Sequence, residues 1–72
     1  MAIDRHRHEA LAALRTRIAR LEVSDYEMWL AYLQCGGNGD PLSFQAYLHG
    51  ALAMADNDWA ALQHSVWEAE NF

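Results

Sequence analysis

The chain has no lysine, and beyond Arg20 it has no arginine either. Its five cationic side chains, Arg5, Arg7, Arg15, Arg17 and Arg20, all fall in the first 20 residues beside two carboxylates, a net +3. The other 52 residues carry eight carboxylates and no cation, a net −8. A phosphate-binding surface needs cations, so most of the chain is excluded as a nucleic-acid surface. The single cysteine, Cys35, excludes an internal disulfide framework and fits a reducing compartment. No apolar run approaches the ~18–20 residues of a membrane span, and the opening Met-Ala-Ile-Asp-Arg-His has no apolar signal core. A cytoplasmic protein with no membrane contact is expected. There is no glycine-rich phosphate loop and no nucleophile motif, and a chain this short is expected to lack a sizeable pocket. Neither an enzyme nor a small-molecule substrate, cofactor or metal is expected.

What is present is apolar. Residues of the hydrophobic classes make up 53% of 72 residues, with three Trp, three Tyr and two Phe. One domain over 1–72 is expected, with 1–3 and 71–72 fraying. So small a domain has a thin core, and part of this aromatic surface is expected to be buried against another chain.

The pattern is helical throughout, with one strong break at Gly36-Gly37-Asn38-Gly39-Asp40-Pro41. A first helix is predicted from about Asp4 to Glu22. Its Leu11, Leu14, Ile18 and Leu21 follow 3-4-3 spacing, a seam two heptads long. That seam suits either one face of a bundle or pairing with a second copy. A second helix is predicted to start at Ser24, whose spacing to Glu27 is that of a capping box. Tyr26, Trp29, Leu30 and Leu33 share one of its faces; Met28, Tyr32 and Cys35 line another. Gly36 and Gly37 supply its stop. A third helix is predicted from Asp40 as N-cap and Pro41 as first residue, burying Phe44, Tyr47, Leu48, Ala51 and Leu52. Gly50 either admits a neighbouring helix closely or marks an early end. Asp56 or Asp58 can cap a last helix from about Trp59 to Glu70, with Trp59, Leu62 and Val66 inward and Trp67 extending that face. Glu68 and Glu70 oppose the dipole in its last turn, so fraying is expected there.

The run Trp29-Leu30-Ala31-Tyr32-Leu33-Gln34-Cys35-Gly36-Gly37, followed by Tyr47-Leu48-His49-Gly50, resembles small uncharacterised helical proteins of actinobacteria. The resemblance spans roughly Ser24 to Val66. Those proteins continue with Ala-Leu-Asn-Glu where this chain has Ser65-Val66-Trp67-Glu68. The resemblance implies an all-helical cytoplasmic domain and brings no activity with it. If shared, Tyr47, His49 and Gly50 would be packing residues, with Gly50 admitting a neighbouring helix.

The four histidines, His6, His8, His49 and His64, read as exposed or half-exposed helix residues. His64 and Glu68 are four apart and share a face, a spacing compatible with a metal but more typical of an ordinary surface pair. A zinc site from Cys35, His49 and His64 would need three distant segments to meet. Helices around Gly36–Asp40 superficially resemble a helix-turn-helix, but the turn is too long and the would-be recognition helix has no cation.

The expected architecture is therefore all-α: a small bundle of a longer N-terminal helix plus three short ones. The expected function is a non-catalytic protein-interaction module, possibly a regulatory accessory, forming a homodimer or binding a protein partner. Its candidate partner-binding residues are Leu11, Leu14, Ile18, Leu21, Tyr26, Trp29, Tyr32 and Trp67. The alternative is a small DNA-associated transcriptional regulator using Arg5, Arg7, Arg15, Arg17 and Arg20.

Overall fold

In a computed structural model, which describes the backbone of residues 2–72 and the side chains of residues 6–72, four helices form a small all-α bundle. They are α1 (Ala2–Arg20), α2 (Asp25–Gln34), α3 (Pro41–Leu48) and α4 (Asp56–Asn71). None of them is long and apolar enough to cross a membrane.

The helix boundaries follow local chemistry. Ser24 caps α2 with a complete capping box: its Oγ accepts from Glu27 N, while its own N–H donates to Glu27 Oε1, both at 3.1 Å. Asp40 caps α3 by accepting from Ser43 N at 2.7 Å, with Pro41 as the first helical residue. Two C-termini close as Schellman motifs. After α2, Gly36 at φ 101° donates to Leu33 O and Gly37 donates to Tyr32 O. After α3, Gly50 at φ 77° donates to Tyr47 O and Ala51 donates to Ala46 O. Gly50 is therefore a helix stop. A Cβ there would meet only His8 at ordinary contact distance, so close helix approach is not its role.

Three helices differ in their bounds from the sequence expectation. The first helix begins at Ala2 and ends at Arg20, because Glu22 turns into the left-handed region at φ 56°. The third stops at Leu48, which leaves Ala51 and Leu52 exposed in the following loop instead of buried. The last begins at Asp56 with Ala55 at the N-cap and no side-chain cap. Asp58 lies inside its first turn, buried, and caps nothing. At the other end α4 runs on to Asn71, where Arg17 neutralises Glu70, one of the two carboxylates expected to fray it.

The core comprises Leu11, Leu14 and Ile18 of α1, Met28 and Tyr32 of α2, Phe44 and Leu48 of α3, and Ala61, Leu62 and Val66 of α4. Helices α1 and α4 lie side by side in parallel. Arg7 reaches Asp56 at the start of α4, and Arg17 holds Glu70 near its end. A parallel pair needs a long crossover, and α2 and α3 are that crossover. Helix α2 packs against α4, and α3 closes over α2 through the Tyr32–Phe44 ring contact, centroids 4.8 Å apart. The radius of gyration is 11.3 Å, near the ~11 Å of a compact chain of this length.

Candidate functional site

At the centre of the bundle Tyr32 is fully buried, and its hydroxyl is saturated. It donates to Asp58 Oδ1 at 2.7 Å and accepts from Gly39 N at 2.7 Å. Asp58 Oδ1 also accepts from Asn38 N at 3.0 Å. Trp29 Nε1 donates to Gly39 O at 2.8 Å. The loop after α2 is thus laced to α2 and α4 from both sides. Gly37 is buried against the Tyr32 ring, which a Cβ at this position would overlap. Burial, then the hydrogen bond to Asp58, pushes the Tyr32 hydroxyl up to about 12. These groups satisfy one another and offer nothing outward, so this network is structural.

A cleft of about 440 Å³ opens between α1, the α3–α4 loop and the start of α4. Its volume falls in the range of small-ligand pockets and corrects the expectation that so short a chain has no room for one. Arg7, Leu11, Tyr47, Met54 and Trp59 are among its walls. The Arg7 guanidinium donates to Asp56 Oδ1 at 2.8 Å and to the Met54 carbonyl, and lies 5.1 Å from the Trp59 ring centroid. Its strongest polar group is therefore turned onto the protein itself.

The third group sits where the end of α2 meets the second half of α4. The Cys35 thiol donates to Glu68 Oε1 at 3.2 Å. His64 Nε2 lies 3.1 Å from the same oxygen. One ligating atom from each of the three lies within 4.8 Å of the others. Burial first, then the hydrogen bond and charge of Glu68, push the Cys35 thiol up. A thiol held protonated on a carboxylate is a poor nucleophile at neutral pH. The same sulfur, nitrogen and oxygen are a donor set suited to a borderline-soft metal ion. The His64 ring stacks on Trp67, and Trp67 meets Phe72 edge-on at 5.9 Å.

The expected partner-binding residues divide sharply. Leu11, Leu14, Ile18 and Tyr32 are buried in the chain's own core and are not available to a partner in this packing. The two-heptad seam of α1 faces its own bundle, because α4 lies along it. Leu21 and Trp29 are half-buried against that core. Tyr26 and Trp67 are exposed, so Trp67 does not extend the inward face of α4. Leu30, Leu42, Leu52 and Phe72 join them at the surface and were missed. Of the arginines proposed for nucleic acid, Arg7 and Arg17 engage Asp56 and Glu70, Arg15 and Arg20 are exposed, and the Arg5 side chain lies outside the described residues. Cys35 and Glu68 were not paired in the sequence reading. His49, which had been considered with Cys35 and His64, is outside the cluster.

Compared with models of protein families, with characterised proteins and with solved structures, the chain matches none.

Proposed function

We propose that this chain is a non-catalytic protein-interaction module of a reducing, cytoplasmic compartment that self-associates as a homodimer through an apolar and aromatic helical surface. One observation carries the reading. Six large apolar side chains remain exposed, led by Phe72 at 92% and Leu42 at 79% and including Tyr26, Leu30, Leu52 and Trp67. Tyr26 and Leu30 share a face of α2, and Trp67 and Phe72 stand together at the end of α4. Each aromatic brings ~150–250 Å² of surface, and aromatics are the anchor types of interface hot spots. A second copy is the favoured occupant on charge. Exposed Arg15 and Arg20 on α1 complement the 52 residues that follow, which carry eight carboxylates and no cation, so crossed or antiparallel copies bring opposite signs together.

The regulator reading that uses α1 on DNA draws less support, because Arg7 and Arg17 already hold carboxylates of the same chain. Sedimentation velocity from low to high micromolar concentration tests the proposal. A concentration-dependent dimer, weakened by Trp67→Ser or by Tyr26→Ser with Leu30→Ser, is expected. A clean monomer at high micromolar concentration sinks it. Retarded migration of duplex DNA at ~50 mM salt, lost steeply as salt rises, would favour the regulator instead.

A further inference from the structure

We infer that Cys35, His64 and Glu68 form a zinc(II) site at the junction of α2 and α4, with solvent completing the coordination. The cluster joins residues 33 apart in sequence, Cys35 and Glu68, around one carboxylate oxygen. Zinc bonds of ~2.3 Å to sulfur, ~2.0–2.1 Å to nitrogen and ~2.0–2.2 Å to oxygen place tetrahedral ligand atoms ~3.3–3.6 Å apart. The thiol–carboxylate and imidazole–carboxylate separations, 3.2 and 3.1 Å, already lie just inside that spacing. The sulfur-to-imidazole side, at no more than 4.8 Å, has to close by at most about 1.3 Å. His64 can supply that movement, since its side chain is 62% exposed.

The surroundings favour a cation independently of the ligands. Cys35 is the C-cap of α2, and Glu68 lies in the closing turns of α4, so two negative helix ends converge here. Neither helix carries a basic residue in its last turn. Arg17, from α1, answers Glu70 and not Glu68. The donor set then selects the ion. Thiolate and imidazole together exclude magnesium and calcium, which want oxygen, and a single carboxylate fits zinc. Binding exchanges the thiol proton for the metal, and the proton leaves to buffer. Three protein ligands on a face open to solvent leave the fourth position to water. The site adjoins the proposed dimer surface, because the His64 ring stacks on Trp67, but the cobalt charge-transfer band reports thiolate ligation in monomer and dimer alike.

The test titrates untagged, reduced full-length protein with cobalt(II) and then displaces it with zinc(II). One cobalt per chain is expected, with a thiolate-to-cobalt charge-transfer band that zinc abolishes. Cys35→Ser removes the band. His64→Gln and Glu68→Gln each weaken zinc by ~100-fold or more, beyond the ~10–100-fold typical of outer-shell partners. His64→Gln changes an exposed residue, so it reports on the site even if a Cys35 variant unfolds; circular dichroism of each variant checks this. Replacing His6 and His8 together by Gln leaves affinity unchanged. Absence of the charge-transfer band in folded wild-type protein would overturn the site. So would zinc affinity that survives His64→Gln but falls when His6 and His8 are replaced.

Discussion

Removing one oxygen atom, by Tyr32→Phe, should cost this protein a large part of its stability. The ring stays where it is, packed on Phe44 with its edge against Gly37. Two hydrogen bonds go. The first is donated to Asp58 at 2.7 Å, and a hydrogen bond to a charged partner is worth ~1.5–3 kcal/mol. The second is accepted from Gly39 N at 2.7 Å, and an unsatisfied buried donor costs ~1–3 kcal/mol. Asp58 keeps only the Asn38 amide. The expected loss is ~3 kcal/mol, allowing for relaxation of the partly buried loop. A chain of this length has ~4–11 kcal/mol in total. Urea unfolding followed by Trp fluorescence should show the midpoint falling by ~2–3 M for a slope of ~1 kcal/mol/M.

A pH series tests the burial of the same hydroxyl separately. The folded hydroxyl is pushed up to about 12 from an ordinary 10, by burial and then by Asp58. A raised pKa means the neutral form is favoured in the fold. Its contribution is complete below pH 10 and is lost as pH rises through about 12. Two units correspond to roughly 2–3 kcal/mol. The gap between wild type and Tyr32→Phe should therefore be constant below pH ~10 and narrow above it. A cost under ~1 kcal/mol, or a gap that does not narrow, would refute the role assigned to this hydroxyl.

Other residues give further tests. Glu22→Gly should raise stability by ~0.5 kcal/mol or more, because Glu22 sits at φ 56°, where a side chain costs ~1–2 kcal/mol and glycine's greater unfolded freedom offsets only part; thermal melts of the pair decide it. Gly37→Ala should destabilise by at least ~2 kcal/mol, since its Cβ would overlap the ring of Tyr32 in a packed core, and denaturant midpoints measure that. Leu14→Ala should cost ~2–5 kcal/mol at every protein concentration, as befits a core residue and not a subunit contact. Arg17 holds the Glu70 carboxyl below its usual range, so the pair's contribution is present above the ordinary carboxylate pKa and is lost as pH falls; Glu70→Gln should flatten that acid limb in a pH series of melts.

Much of the fold was legible because helix ends are local chemistry. Ser24 with Glu27, Asp40 with Pro41, and Gly36 after Cys35 each act within a few residues, and each does what its spacing implies. The buried stripe of α1 was legible as a stripe, but periodicity names a face and not its neighbour. The same Leu11, Leu14 and Ile18 would serve a second copy or α4, and only the parallel placement of α4 decides between them. Asp58 illustrates the opposite failure. At the start of a helix an aspartate reads as a cap, yet this one turns inward because Tyr32, 26 residues away, offers a donor. The Cys35–Glu68 contact and the cleft around Arg7 were illegible for the same reason: both depend on crossing angles set by loops. Gly50 was readable as either a stop or a point of close approach, and its φ of 77°, with Ala51 N bonded to Ala46 O, decides for the stop.

The bond from Gly39 to Tyr32 also makes a clock of an unlikely residue. Loop amides usually exchange with solvent deuterium within the lifetime of small fluctuations. The amides of Asn38 and Gly39 instead point into the protein, onto Asp58 and Tyr32. Freeing them requires the loop between α2 and α3 to lift off both helices, because one acceptor belongs to α4 and the other to α2. Two positions in the most glycine-rich stretch of the chain should thus exchange more slowly than ordinary loop amides, and their rates would register the loop's detachment from the two helices.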